Sequence, residues 1–298
     1  MVGIVPAALL ALLKAAESGE NFWWLLCVCV TETRNGVTLT ALCVGNKIEC
    51  MNNKLNKKQL ASFIDQTLLS PCATEERVRE FCSEAAKYSF ASVCVNPAFV
   101  SLVHGILKDS QTKVCTVIDF PLGAGGLETK LAQSDIAITQ GADELDFVVN
   151  LSLVKAHEWE LLKAELLAVT KSVSEASMWI TADTEEKRRP VVTKLILETC
   201  LLDDEEIKKT CECARDSGFD YVKTSTGFAV VKDSDGRLLP NGATVHAVKL
   251  MRSVVGPDMG VKASGGIHTT QEALELIEAG ATRIGASAGT AIVDGLSE

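Results

Sequence analysis

From Lys54 onward the chain repeats one pattern eight times: a short apolar run of strand character, then an amphipathic helical segment. The strand-like runs are Phe63 to Leu69, Phe90 to Val95, Lys113 to Asp119, Glu144 to Asn150, Val191 to Glu198, Asp220 to Ser225, Gly260 to Ser264 and Arg283 to Gly285. Strands alternating with helices imply a parallel sheet. Eight such units in about 240 residues, with no long break, match a closed (β/α)8 or TIM barrel in count and size. The rival is a doubly wound open sheet, which places Gly-x-Gly-x-x-Gly after its first strand. Here that position reads Leu68-Leu-Ser-Pro-Cys72, which is not such a turn. The fold class expected is α/β, a (β/α)8 barrel over residues 55–298 with an N-terminal appendage over residues 1–54.

Helix starts agree with this segmentation. Thr74 is placed to cap a helix from Glu75 to Tyr88, with acids in its first turn and Val78, Phe81, Cys82 and Ala85 on one face. Pro97 suits the first turn of a helix running to Lys108. A long helix is expected from about Leu153 to Ser174, and a helix from Asp203 to Ser217 opens on four consecutive acids. Two stretches exceed what a minimal barrel needs: Met178 to Pro190, basic at Lys187, Arg188 and Arg189, and Val230 to Gly242. Both read as surface insertions. In the appendage, Val2 to Leu13 is apolar but too short to span a bilayer, and reads as a short helix rather than a signal peptide. Phe22 to Thr33 and Val37 to Val44 flank Arg34-Asn35-Gly36, and Asn-Gly between such runs signals a hairpin.

Composition bounds the partners. The net charge of −10 argues against a general nucleic-acid binder but leaves room for a local basic cluster that takes an anionic small molecule. No segment reads as a membrane span. The 11 cysteines are odd in number, and most fall inside apolar periodic segments. Buried reduced thiols, and hence a reducing compartment such as the cytoplasm, are expected. Neither Cys27-Val28-Cys29 nor Cys211-Glu212-Cys213 has metal-ligand spacing, and no histidine cluster accompanies them, so no metal is expected.

Barrel enzymes gather their chemistry at the C-terminal ends of the strands. Polar residues embedded in the strand runs are therefore the candidates: Asp65, Thr67, Cys94, Asp146, Lys194, Lys223 and Lys262. Lys223 and Lys262 end consecutive apolar runs, each followed by small hydroxylated residues and glycine. On neighbouring parallel strands their ammonium groups would lie a few ångströms apart, and burial and like charge both lower a lysine pKa. An unperturbed lysine, pKa about 10.4, is ~0.04% neutral at pH 7, whereas a pKa near about 7.5 leaves about a quarter neutral. That arrangement points to a Schiff-base lysine activated by a second cation. Exposed strand-end lysines, or phosphate ligands, are the plainer reading. Asp146, within Leu-Asp-Phe-Val-Val, needs a neighbouring lysine or water and would then serve in proton transfer; a purely structural ion pair with Lys194 or Lys262 is the alternative. Gly265-Gly266 and Gly285-Ala-Ser287 each precede a helix at strands seven and eight, where barrels often hold phosphate. Cys94 reads as a pocket wall rather than a nucleophile.

Taken together, Ile64-Asp-Gln-Thr-Leu-Leu69, Val93-Cys-Val-Asn-Pro97, Phe120-Pro-Leu-Gly123, Gly141-Ala-Asp-Glu-Leu-Asp146, Lys194-Leu-Ile-Leu-Glu-Thr199, Val222-Lys-Thr-Ser-Thr-Gly227, Val261-Lys-Ala-Ser-Gly-Gly266 and Arg283-Ile-Gly-Ala-Ser287 make the chain resemble the deoxyribose-phosphate aldolases. These are class I barrel aldolases that interconvert 2-deoxy-D-ribose 5-phosphate with acetaldehyde and D-glyceraldehyde 3-phosphate. The resemblance covers roughly Leu60 to Gly295. It implies a Schiff base at Lys223, Lys262 lowering the pKa of Lys223, and Asp146 moving protons with a water. It further implies that Asp65, Thr67, Cys94 and Lys194 line the pocket and that Gly227, Gly265, Gly266 and Ser287 hold the phosphate. No metal or organic cofactor is implied, because the iminium is the electron sink. The partner is a small phosphorylated sugar, and a homodimer and a homotetramer are both compatible with the resemblance.

Departures from the family pattern are Gln66, where many members have histidine, and Ala288, where a second serine is common. Losing one phosphate hydrogen bond at Ala288 is expected to weaken binding by about 1 kcal/mol. The Val230 to Gly242 insertion follows the Schiff-base strand and is expected to cover or narrow the phosphate end. The chain stops at Glu298 without the tyrosine-bearing tail of some members, and no counterpart of residues 1–54 is expected from the motifs that carry the resemblance. A barrel repurposed as a binding or scaffold protein, with the appendage and the basic insertion as partner surfaces, is the reading of a different class. A third is a Schiff-base aldolase for another phosphorylated sugar.

Overall fold

The segments with strand character do form strands, and eight of them close on one another. In the computed structural model, which describes residues 26–33, 36–43, 55–182 and 190–297, the barrel strands are β3 (Ile64–Leu68), β4 (Ser92–Val95), β5 (Lys113–Ile118), β6 (Glu144–Val148), β7 (Val192–Ile196), β8 (Tyr221–Lys223), β9 (Gly260–Ser264) and β10 (Arg283–Ala286). All neighbours pair parallel in chain order, and β10 closes onto β3 with Ile284 opposite Ile64. This is the (β/α)8 barrel expected. Six of the eight strands are shorter than their runs in sequence, because the end residues of those runs leave the ladder, while β9 matches its run and β10 is one residue longer.

Helices cover the outside: α1 (Lys57–Ala61), α2 (Glu75–Tyr88), α3 (Val100–Leu107), α4 (Leu127–Thr139), α5 (Leu151–Lys155), α6 (Trp159–Ala182), α7 (Asp204–Asp216), α8 (Val245–Val255), α9 (Thr270–Glu278) and α10 (Gly289–Asp294). Their starts follow the capping chemistry in the sequence. Thr74 accepts from Arg77 N, and Asp203 and Thr269 form capping boxes with Glu206 and Glu272. The apolar core lies between helices and barrel, where Val78, Phe81, Cys82 and Ala85 of α2, Leu162 and Leu166 of α6, and Val248 and Met251 of α8 are all buried. Inside the barrel the filling is different. Asp65, Asp146, Lys194 and Lys262 are completely buried there, where a barrel of this kind ordinarily packs branched aliphatic side chains.

Three expectations change. The single helix from Leu153 to Ser174 is two helices, α5 and α6, because His157 takes a left-handed φ of 57° that an α-helix does not contain. Met178 to Pro190 is not wholly an insertion: α6 continues to Ala182, while Lys187, Arg188 and Arg189 lie outside the described residues. The hairpin exists, with β1 (Leu26–Thr33) antiparallel to β2 (Gly36–Cys43), but Gly36 pairs with Thr33, so glycine belongs to the strand and not to the turn. The Val2 to Leu13 segment lies outside the described residues. Contacts divide the chain into units Met1–Leu55 and Asn56–Glu298. Among the described residues no helix is long and apolar enough to cross a membrane.

Candidate active site

Side chains two apart on a strand share a face. β3 therefore turns both Asp65 and Thr67 inward, β4 Ser92 and Cys94, and β6 Glu144 and Asp146. Register then decides which of them meet. Asp146 is opposite Lys194, and Lys223 is opposite Lys262. Lys223 and Lys262 do lie on neighbouring strands, and the three lysines converge on one carboxylate. Lys194 Nζ donates to Asp146 Oδ1 at 2.8 Å, while Lys223 and Lys262 Nζ each donate to Oδ2 at 2.7 Å. Lys223 is 3% exposed and the other three are 0% exposed, so the cluster is shielded from bulk water.

A second layer of charge sits beneath. Lys262 also pairs with Asp65 at 2.6 Å and Lys194 with Glu144 at 2.6 Å. Arg283 on β10 bridges both acids, 2.6 Å from Asp65 and 3.2 Å from Glu144. Ser92 donates to Asp65 Oδ1 at 2.7 Å. The interior thus opposes three carboxylates (Asp65, Glu144, Asp146) to four cations (Lys194, Lys223, Lys262, Arg283). Lys262 and Lys194 have two carboxylate partners each; Lys223 has one, and shares it.

Burial by itself would raise the Asp146 pKa, but Lys194, Lys223 and Lys262 outweigh it and hold the group well below the usual carboxylate range. Asp65 behaves alike: burial opposes its charge, and Arg283 and Lys262 prevail. Burial also opposes the charge on Lys194 and Lys262, and for both it is Asp146 first that overcomes this and raises the pKa. These groups are fixed as ions by one another, as buried charges must be.

Gly285 makes this packing feasible. A methyl group there would lie 3.0 Å from Lys262 Cε and 3.0 Å from Ser264 Cβ, so the lysine stem crosses β10 where a side chain is missing.

Cys94 faces Cys115 across the β4–β5 register, and both are fully buried. The Cys115 thiol donates to Asp146 Oδ1 at 3.3 Å, with Lys194 Nζ 3.6 Å from its sulfur. The hydrogen-bonding neighbour Cys115 lowers the Cys94 pKa, whereas burial pushes Cys115 up. Cys94, Cys115 and Asp146 lie close enough to share a cation, as do Asp65, Cys115 and Glu144. Their carboxylates already hold ammonium or guanidinium groups, so a metal would have to displace an ion pair.

Above β8 and β9 the predicted phosphate residues come partly together. Gly227, Gly265 and Gly266 all have left-handed φ, of 80°, 85° and 72°. A methyl on Gly227 would lie 3.8 Å from Gly265 Cα, so the two loops run side by side. Ser287 is exposed in the loop between β10 and α10. Thr67, half-buried, donates to the Asp65 carbonyl at 2.8 Å. Gln66, on the other face of β3, accepts from Gly289 N at 3.0 Å and so packs α10 rather than the interior. A cavity of about 630 Å³ opens at the opposite end of the barrel, among His104, Lys108, Asp143, Glu144 and Arg283; none of the predicted site residues lines it.

Glu144, Arg283, Cys115 and Ser92 are the interior groups that the strand reading passed over. Glu144 and Cys115 had a readable signal, since each lies two residues from, or directly across from, a predicted inward residue. Arg283 lies opposite Lys262 and shared that signal for facing inward, but its acid partners come from β3 and β6, far away in sequence.

Fold and interior together are those of a (β/α)8-barrel enzyme. The chain belongs to the DeoC/LacD family of aldolases, whose family model matches residues 60–295. It is 48% identical over 235 residues to the deoxyribose-phosphate aldolase of Caldanaerobacter subterraneus subsp. tengcongensis, covering 79% of this chain and 92% of that one. It is 46% identical over 239 residues to the enzyme of the same name from Lactococcus lactis subsp. lactis, covering 80% and 97%. Among solved structures, the tetrameric deoxyribose phosphate aldolase of Aeropyrum pernix superposes with a TM-score of 0.68 at 35% identity, covering 80% of this chain and 91% of that one.

Proposed function

We propose that this chain cleaves 2-deoxy-D-ribose 5-phosphate into acetaldehyde and D-glyceraldehyde 3-phosphate through a Schiff base on Lys223. The observation that carries the reading is the sharing of Asp146 Oδ2 by Lys223 and Lys262, each at 2.7 Å, inside a closed barrel. Among Lys194, Lys223 and Lys262, Lys223 is the one with a single carboxylate partner, and it shares that partner. Lys262, held as ammonium by Asp146 and Asp65, is the tuning cation.

The amine adds to the substrate aldehyde and water leaves, giving the iminium. A base removes the proton of the C3 hydroxyl, the C2–C3 bond breaks, and its electron pair passes into the iminium to give an enamine and glyceraldehyde 3-phosphate. Protonation at C2 and addition of water release acetaldehyde and the free amine. Asp146, working through a water, is the group for these proton transfers. Asp65, Thr67, Cys94 and Lys194 are read as the walls and floor of the pocket. Gly227, Gly265, Gly266 and Ser287 are read as the phosphate residues, and the left-handed loops at the three glycines support this for backbone N–H donors.

The same proposal extends to assembly and location. A homotetramer or homodimer is expected by likeness to the tetrameric Aeropyrum pernix aldolase. The free buried thiols of Cys82, Cys94, Cys115, Cys211 and Cys213 suit a reducing cytoplasm. The test is a retro-aldol assay on deoxyribose 5-phosphate with wild type and Lys223→Leu, joined to borohydride trapping. Turnover abolished by the substitution, and substrate mass fixed on Lys223, are expected. An active Lys223→Leu protein, or no adduct on Lys223, refutes the reading.

A further inference from the structure

Glu198 stands two residues beyond the end of β7 with a buried side chain, 2% exposed, and a left-handed backbone at φ 59° and ψ 59°. Glycine would take that conformation without strain, and an alcohol or amide would be easier to bury than an acid. A carboxylate kept at such a position points to a specific partner. That partner is Thr226, in the loop that joins the Schiff-base lysine to the first phosphate glycine. Thr226 N donates to both carboxylate oxygens, at 3.2 and 3.3 Å, and Thr226 Oγ1 donates to Oε2 in a short bond. The same hydroxyl accepts from Phe228 N at 3.0 Å. One carboxylate thus fixes Thr226, and Thr226 in turn fixes the two residues after it, including Gly227 at φ 80°.

Backbone bonds on either side make this a clamp. Leu197 N donates to Lys223 O and Thr199 N to Thr224 O, both at 2.9 Å, so Glu198 hangs between two rungs that tie the β7 loop to the β8 loop. The other flank is tied to β9: Ser264 N donates to Thr224 Oγ1 at 3.1 Å and Ser264 Oγ to Ser225 O at 2.6 Å. Burial pushes the Glu198 carboxyl above its usual range even against the Thr226 donors, a sign that the placement is held by its surroundings.

We infer that Glu198 is a positioning residue that acts through Thr226 to hold the Gly227 turn in the shape that receives the substrate phosphate. This rests on the aldolase reading above and adds to it a residue that never touches the reacting carbons. Its signature is therefore selective: affinity for the phosphorylated end falls, while chemistry at Lys223 continues.

The test uses the full chain with Glu198→Gly, which removes the acid at a φ that glycine adopts freely, together with Thr226→Val, Thr226→Ser and the Glu198→Gly/Thr226→Val double variant. KM and kcat are measured on deoxyribose 5-phosphate and on unphosphorylated deoxyribose, and inorganic phosphate binding is measured by calorimetry. Glu198→Gly and Thr226→Val are each expected to raise KM for the phosphorylated sugar about tenfold, the loss of one charged hydrogen bond. Deoxyribose kcat/KM should move less than about threefold, phosphate affinity should fall with KM, Thr226→Ser should restore both, and the double variant should be no worse than either single one. Unchanged KM, an equal loss on both sugars, or additive losses overturn the inference. Should Glu198→Gly not fold, the Thr226→Val and Thr226→Ser pair gives the same decision. A wild type inactive on both sugars refutes the aldolase reading instead, and phosphate calorimetry on the same variants still decides the role of Glu198.

Discussion

Lys223 and Lys262 are register partners on adjacent parallel strands, and both donate to one oxygen of Asp146. Two ammonium groups converging on a single carboxylate oxygen repel each other more than either would at an exposed strand end. The pair is also asymmetric. Lys262 reaches Asp65 as well, and Lys223 has no second carboxylate partner. Identical side chains on identical rungs are thereby given different charge environments by what lies beneath them.

Replacing Lys262 by leucine tests that asymmetry. The interior then loses the second ammonium on Asp146 Oδ2, which is the proposed tuning cation beside Lys223. We expect kcat to fall by about a hundredfold at pH 7 and to recover in part at higher pH, moving the rate optimum upward. The pH profile of kcat for wild type and Lys262→Leu checks this; a lower rate with an unmoved optimum would assign Lys262 a packing role only.

Gly285→Ala approaches the same lysine from its far side. The added methyl would sit 3.0 Å from Lys262 Cε, a tight contact that the stem relieves by moving. Stability should drop by about 1–2 kcal/mol in urea titration. Activity should fall about tenfold, because the displaced ammonium no longer shares Asp146 Oδ2 with Lys223. Loss of stability with full activity would show that Lys262 tolerates the shift.

The barrel and its lysine pair were legible because both are carried by local pattern: strand-helix alternation, and a lysine at the end of each of two consecutive apolar runs. Neighbouring strands in a parallel barrel are neighbours in sequence, so Lys223 opposite Lys262 follows from counting units. The pairing within the second layer was not legible, although Asp65 was named and the position of Glu144 was readable. Arg283 meets Asp65 and Glu144 only because β10 closes onto β3 and the interior is narrow enough for a side chain to cross it. The break at His157 was hidden for another reason. Helical periodicity runs through it, and a single left-handed residue, His157, divides α5 from α6.

The charge layers set the acid limit of the fold. Asp146 and Asp65 have pKa values depressed below those of an unfolded chain, about 3.9. A depressed carboxylate contributes stability in full above the unfolded value and loses it as pH falls from there toward the folded value. Lys194 and Lys262 are raised, so their share is complete below about 10.4 and is lost only as pH rises beyond it. Stability should therefore be flat between these limits and decline steeply below about pH 4. Asp65→Asn leaves Lys262 and Arg283 short of a partner and should lower neutral-pH stability by about 3–5 kcal/mol while flattening the acid limb. Urea denaturation of both proteins across pH 3 to 9 is the measurement; parallel curves would remove Asp65 from this account.

The Val230 to Gly242 segment bears on the phosphate end through its last residue. A methyl on Gly242 would meet Gly265 O at 2.2 Å and Gly266 N at 3.1 Å, and Ala243 N donates to Gly265 O at 3.1 Å. The segment therefore presses on the β9 loop and does not merely pass over it. Gly242→Ala cannot be accommodated by a flexible side-chain tip, since the atoms in its way are backbone; the β9 loop must move. If Gly265 and Gly266 receive the phosphate, KM for deoxyribose 5-phosphate should rise by about tenfold or more, with kcat within about threefold of wild type. Borohydride trapping of acetaldehyde on Lys223 should be unaffected, because that small aldehyde has no phosphate to place. A Gly242→Ala enzyme that traps acetaldehyde poorly yet binds the phosphorylated sugar normally would separate this loop from phosphate recognition and tie it to the lysine.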